Sequence, residues 1–207
     1  MRCDVIIPVG PGHEDLHLQA VESVRIATQW SGPFTDIKIK VIDDTKAKLG
    51  RSSARNIAVE SSDADWLFFL DADDRLHPKA FDSISPYISG YDAIWGNIWE
   101  YTNGVAVWRY QVPEIDSYDR LISFDPYLTL QMGHFIKRDK FLPFDEEMDC
   151  GEDWDYYLRI WKSSRCIKIN DCLFLNQRGI HSTGQRSATG KEWTEVVRNI
   201  IEKARHE

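Results

Sequence analysis

Trp66-Leu67-Phe68-Phe69-Leu70-Asp71-Ala72-Asp73-Asp74 is the stretch that decides how the rest of the chain is read. Five bulky apolar residues run straight into three carboxylates. Bounded by Asp65 in front, the apolar run is too short for a helix and fits a central parallel strand buried on both faces. In open α/β sheets, ligands bind outside the carboxyl ends of such strands. Acids gathered there repel one another and lose hydration unless a cation or a donor-rich ligand compensates them. The stretch therefore points to a divalent cation held together with a phosphorylated ligand. Turn chemistry is the alternative, because Asp is common in turns and at helix N-caps, and Asp73 or Asp74 could cap a helix opening near His77-Pro78.

Working outward, residues 4–9 form a short apolar run that meets a Gly10-Pro11-Gly12 turn. A helical pattern follows, with Leu16, Ala20, Val21 and Val24 on one face. Residues 37–42 alternate apolar side chains with Lys and then reach Asp43-Asp44, a second strand ending in acids. Residues 51–59 read as a short helix. Strands separated by helices indicate βαβ units, and right-handed crossovers place their carboxyl ends on one edge. Beyond the acids, Pro78 opens an expected helix to about Ile88, and residues 91–97 and 105–112 read as strands around Asn103-Gly104. Residues 132–137 suit another strand and residues 152–162 a helix. Residues 166–169 and 173–176 suit a pair of short strands, and residues 191–204 a helix with Trp193, Val196, Val197, Ile200 and Ile201 on its apolar face.

The 207 residues fit one domain over 1–207 with a core that needs no staples. A formal charge of −8 argues against nonspecific binding to nucleic acid or to anionic membranes. Cys3, Cys150, Cys166 and Cys172 include no Cys-x-x-Cys pair, so free thiols in a reducing cytoplasm are expected. No stretch has the length of a membrane span, and the N-terminus does not read as a secretion signal. Aromatic residues make up 12% of the chain, and Trp95, Trp99, Trp108, Trp154 and Trp161 all follow the acids. Most suit core packing, while a few suit a groove for the flat apolar faces of sugars.

Five motifs in order give the chain a resemblance to the family 2 inverting glycosyltransferases of GT-A fold. They are Val5-Ile6-Ile7-Pro8, Val41-Ile42-Asp43-Asp44, Gly50-Arg51-Ser52-Ser53-Ala54-Arg55-Asn56, Phe69-Leu70-Asp71-Ala72-Asp73-Asp74 and Gly151-Glu152-Asp153-Trp154-Asp155. The resemblance implies an α/β, Rossmann-like, mainly parallel mixed sheet flanked by helices. Residues 1–97 become its nucleotide-sugar-binding half, and residues 98–207 an acceptor-side half with a C-terminal helix. The chain resembles a minimal member, without an appended acceptor domain.

In such an enzyme the leaving group is a nucleoside diphosphate, and charge on two phosphates must be neutralised as the glycosidic bond breaks. The resemblance implies a UDP-sugar donor, a carbohydrate or other hydroxyl acceptor, and Mn2+ or Mg2+ bound by Asp73 and completed by His181. Asp71 then holds the ribose or a metal-bound water, and Ala72, Pro8 and Val9 line the donor pocket. Asp43 and Asp44 match the base-reading acids, with a solvated acidic turn as the competing view. Arg51 and Arg55, four apart on one helix face, can reach base or phosphate. Arg178 and Arg186 match a late loop closing over the diphosphate. Asp153 matches the base that takes the acceptor proton, and acids at a helix start also favour the helix dipole. Asp74 stays open between a site role and a cap, and His134 is a weaker candidate for substrate contact.

The chain departs from the family pattern after Pro8, where Val9-Gly10-Pro11-Gly12 replaces the usual aromatic and Asn, and after Asp44, where Thr45-Lys46-Ala47-Lys48 lacks a Gly-Ser pair. A haloacid-dehalogenase-type phosphatase, with Asp71 as nucleophile beside Asp73, is the rival enzyme reading. Its motif lies near the start of the fold, whereas Asp71 follows two complete strands. A non-catalytic nucleotide-sugar-binding protein would keep Asp73 and have no use for Asp153.

Overall fold

The computed structural model describes residues 1–102, 105–108, 110–177 and 190–206. Its first half alternates strand and helix: β1 (Arg2–Val9), α1 (His17–Ala27), β2 (Asp36–Asp43), α2 (Arg51–Glu60) and β3 (Trp66–Phe69). β1 lies between β2 and β3 and runs parallel to both. Every residue of β3 is buried, and its side chains alternate between two cores. Trp66 and Phe68 enter one core with Val5, Ile7, Ala20 and Val24, and Leu67 and Phe69 enter the other with Ile6, Ala58 and Tyr156. A strand covered on both faces has no use for a polar side chain until it leaves the sheet, and Leu70 is the last apolar residue before the acids.

The second half contributes β4 (Arg75–Leu76), α3 (Ala80–Ser83), β5 (Ala93–Thr102), β6 (Val105–Trp108), α4 (Tyr118–Ser123), β7 (His134–Lys137), α5 (Glu152–Ser163), β8 (Cys166–Gln177) and α6 (Gly190–His206). The sheet order is β2-β1-β3-β7-β5-β8-β4, with β6 paired to β5. β7 is antiparallel to β3 and to β5, and β8 is parallel to β5. It follows that β1, β2, β3, β5 and β8 point one way and end on the same edge of the sheet. β4, β6 and β7 point the other way. The sheet is mixed, with most strands parallel in direction, as the resemblance implies.

Four expectations about elements are corrected. The helix expected from Pro78 to Ile88 is helical only over Ala80–Ser83. Pro86 has no N–H to donate and disfavours helical backbone at Ser85, so the chain continues in turns. The two short strands expected at 166–169 and 173–176 are one strand, β8. Polar Asn170-Asp171 interrupts the apolar pattern, but the register against β5 simply shifts around Asn97. The Asn97 side-chain amide donates to the Asn170 carbonyl at 2.9 Å and to its side-chain oxygen at 2.8 Å, which satisfies the irregular backbone there. β5 also starts later and runs longer than residues 91–97, and β6 stops at Trp108 rather than residue 112. Asn103 and Gly104 lie outside the described residues.

α5 and α6 pack on the same core, where Trp154, Tyr157, Val197 and Ile201 are buried together. Gly151 caps α5 at φ +79, and a Cβ there would stand 2.8 Å from Val196 Cγ1. The position needs glycine both for its left-handed backbone and for the close approach of α6. Trp95, Trp154 and Trp161 are core residues, whereas Trp99 and Trp108 face each other across β5 and β6 and are exposed.

Candidate active site

A cleft of about 480 Å3 opens beyond the ends of β1, β2 and β3. Its walls are Pro8, Val9 and Gly10 after β1, the loop from Asp44 to Gly50, Arg51 and Arg55 on α2, and Asp71, Ala72 and Asp73 after β3. The two acids that end β2 have separate roles. Asp44 is buried, and its carboxylate accepts backbone N–H groups from Lys48, Leu49 and Gly50 at 2.7–2.9 Å. It folds the loop over the cleft and leads it into α2, with Gly50 at φ +84 before the first helical residue. Asp43 is exposed, does not line the cleft, and accepts from the Thr45 N–H at 3.0 Å. Bonding from Thr45 holds its carboxyl below the usual range.

Arg55 joins the acids after β3 to the start of α5. Its guanidinium is buried, donates to Asp71 at 2.6 Å, and stands 3.8 Å from Glu152, which is itself buried. Arg51 reaches the same Glu152 carboxylate at 2.6 Å. The two arginines expected to contact base or phosphate thus carry a structural charge network first, and Arg51 remains partly exposed in the cleft.

The three acids after β3 divide as well. Asp71 is paired with Arg55. Asp74 is buried and accepts from the Asn176 side chain at 3.0 Å and the Gln177 N–H at 2.9 Å, which ties this loop to the end of β8. Burial and the charges of Asp73 and Asp71 push its carboxyl well above the usual range. Asp74 therefore caps no helix: it ties its loop to the end of β8 and also lines the smaller cavity described below. Among the described residues Asp73 has no such partner: burial, then the Asp71 charge, raise it to about 6, and the hydrogen bond acting on it there comes from its own backbone amide. His13, in the loop after β1, lines the same cleft close enough for its charge to act on Asp73. His13 is a site residue that the motif reading does not select.

Asp153 lies in the first turn of α5 and lines a smaller cavity of about 100 Å3. That cavity shares Arg51, Arg55 and Asp71 with the large cleft and adds Gln131 and Glu152. Burial, and then the neighbouring Glu152 charge, push the Asp153 carboxyl up to about 7, against the N–H of Trp154 at 2.9 Å. His134 belongs to the core. It stacks on Trp95 at 4.5 Å, bonds the Met132 carbonyl and meets the Tyr156 hydroxyl at 3.3 Å, and burial holds it down to about 3. Arg178, His181 and Arg186 lie outside the described residues. Among the described residues no three His, Cys, Asp or Glu side chains converge as a ready-made cation cage, and no helix is long and apolar enough to cross a membrane.

The sequence profile described as Glycosyl transferase family 2 matches residues 21–152, from within α1 to Glu152, and takes in the cleft walls from Asp44 to Asp73 but not those after β1. The chain belongs to glycosyl transferase family 2. Its fold is GT-A: the crystal structure of S. aureus TarS 1–349 in complex with UDP-GlcNAc matches 97% of this chain and 65% of that one, with a TM-score of 0.69 and 15% identity. The crystal structure of S. aureus TarS 1–349 matches 86% of this chain and 60% of that one, with a TM-score of 0.64 and 16% identity. A longer S. aureus TarS structure matches with a TM-score of 0.65 and 15% identity, over 97% of this chain and 39% of that one. The family 2 chain described here therefore spans about three-fifths of TarS 1–349. Comparison with curated proteins gives no match.

Proposed function

We propose that this family 2 chain transfers a sugar from a UDP-sugar to an acceptor hydroxyl with inversion at the sugar carbon, using Asp153 as general base and a divalent cation, Mn2+ or Mg2+, at Asp73. The observation that carries this reading is the shared wall: the cleft holding Asp73 and the cavity holding Asp153 meet at Arg51, Arg55 and Asp71. Inversion needs a base on the face of the sugar opposite the leaving group. A donor seated with its diphosphate toward Asp73 turns its sugar carbon toward that wall, within reach of an acceptor activated from the Asp153 side.

The residues present fit a cation that arrives with its nucleotide. Asp73 is a half-buried carboxylate with a raised affinity for protons and, among the described residues, no hydrogen-bond donor beyond its own backbone amide, and a cation answers the same deficit. When bound, the cation neutralises charge developing on the diphosphate. Arg51, whose Nε is engaged by Glu152, has its terminal N–H groups available for the phosphates. A carboxyl at about 7 suits Asp153 as a base near neutral pH, since it is ionised often enough to act and still basic enough to take a proton. The UDP-GlcNAc bound in one similar structure supports a UDP-sugar as donor. The four unpaired thiols suit a reducing cytoplasm. A phosphatase reading needs Asp71 as nucleophile, but its Oδ1 is held by Arg55.

Asp153→Asn tests the assignment. Transfer to an acceptor, followed with a panel of UDP-sugars, should fall by about a thousandfold while UDP affinity stays within twofold. Full transfer by this variant would remove Asp153 from the mechanism.

A further inference from the structure

We propose that the His13 imidazole is a second protein ligand, beside Asp73, of the divalent cation that enters with the nucleotide diphosphate. The inference rests on the metal-dependent reading above and adds a ligand from the first loop of the fold. Among the described residues His13 Nε2 is shut off from solvent and has no hydrogen-bond partner, although the residue lines an open polar cleft. A buried polar atom left unpaired costs about 1–3 kcal/mol, so its persistence calls for a missing partner. His134 shows the structural alternative in the same chain, with both ring nitrogens engaged by protein groups.

The loop holds His13 where a ligand would be needed. Gly12 adopts φ +82, the His13 N–H donates to the Gly10 carbonyl at 3.2 Å, and the His17 N–H donates to the His13 carbonyl at 3.2 Å. These contacts fix the backbone on both sides of a residue that lines the cleft. Across the cleft stands Asp73, whose carboxylate also lacks an outside donor among the described residues. An imidazole nitrogen and a carboxylate oxygen are complementary to a divalent ion, and neither answers the deficit of the other unless one gains a proton. Two protein donors are too few to retain a cation alone, and diphosphate oxygens supply the remaining positions. Cation binding should therefore depend on UDP, and a nitrogen ligand should favour Mn2+ over Mg2+.

Pulsed electron paramagnetic resonance of Mn2+ with UDP reads this directly, without turnover. The wild-type chain should show 14N modulation on the Mn2+ signal. In His13→Gln that modulation should weaken or vanish, and Mn2+ affinity in the presence of UDP should drop by about tenfold or more. Labelling histidines with 15N in the wild type checks that the nitrogen is an imidazole without altering the protein. His181→Gln, measured in parallel, separates the late loop's contribution. Mn2+ that binds with UDP but gives no 14N modulation, or a modulation unchanged by His13→Gln, would overturn the role of His13 and leave the metal-dependent reading standing. Mn2+ that fails to bind with UDP in the wild type would overturn both.

Discussion

β2 and β3 end on the same sheet edge in the same kind of sequence, an apolar run followed by adjacent acids, yet the acids serve opposite ends. After β2, Asp44 is filled by three backbone N–H groups and shapes a loop, and Asp43 stands in solvent. After β3, Asp71 takes Arg55, Asp74 takes the end of β8, and Asp73 is left, among the described residues, with no hydrogen-bond donor beyond its own backbone amide. What separates a structural acid from a ligand-seeking one is the donor supply around it. A strand end with its donors in place is architecture. One without them has room for donors or charge from outside the chain.

The largest effect should come from the link between the β3 acids and the start of α5. Arg55→Met leaves Glu152 buried beside a single arginine and frees Asp71, so stability measured by urea unfolding should fall by about 3–5 kcal/mol, with transfer lost as well. A variant of near wild-type stability would show that the network is dispensable. Next comes the structural acid of β2. Asp44→Ala strands three loop N–H groups and should cost about 3 kcal/mol. Its UDP affinity should drop only as far as the loop loosens.

Asp73→Asn should behave in the opposite way. Its carboxyl is raised from 3.8 to about 6 in the folded chain, so the ionised form destabilises the fold. Stability tied to this group is complete below about 4, declines as pH rises to about 6, and is level above. Without metal or nucleotide, the thermal midpoint of Asp73→Asn should gain on wild type across that window and hold the gain at pH 8. A variant less stable than wild type at pH 8 would make Asp73 structural, like Asp44. The smallest effect belongs to the solvent side of α2, where Glu146 accepts from Ser53 at 2.7 Å and Asn56 at 2.8 Å. Glu146→Ala should change stability by less than about 1 kcal/mol, because these contacts are water-exposed at one end.

The edge on which the site lies was legible because β3 has only one reading: four buried residues and then charge. Asp73 and Asp153 are distinguished by local context, an unmatched acid after a strand and an acid opening a helix. Which of Asp43 and Asp44 turns inward was not legible, since it depends on how the loop to Gly50 closes, with Ala47 at φ 50 and Gly50 at φ +84. The Arg55–Glu152 contact and the approach of His13 to Asp73 join residues far apart in the chain, and no local pattern encodes them. Asn170-Asp171 hid the continuity of β8 for a related reason, because its compensating amide comes from Asn97 on another strand.

Calorimetric titration of UDP, with and without Mn2+, into the wild-type chain and Asp73→Asn tests the central claim most directly. The wild type should bind UDP at least about tenfold more tightly with Mn2+ present, and Asp73→Asn should show no such gain. UDP affinity indifferent to Mn2+ in the wild type, or a gain preserved in Asp73→Asn, would contradict the assignment of Asp73 to the cation.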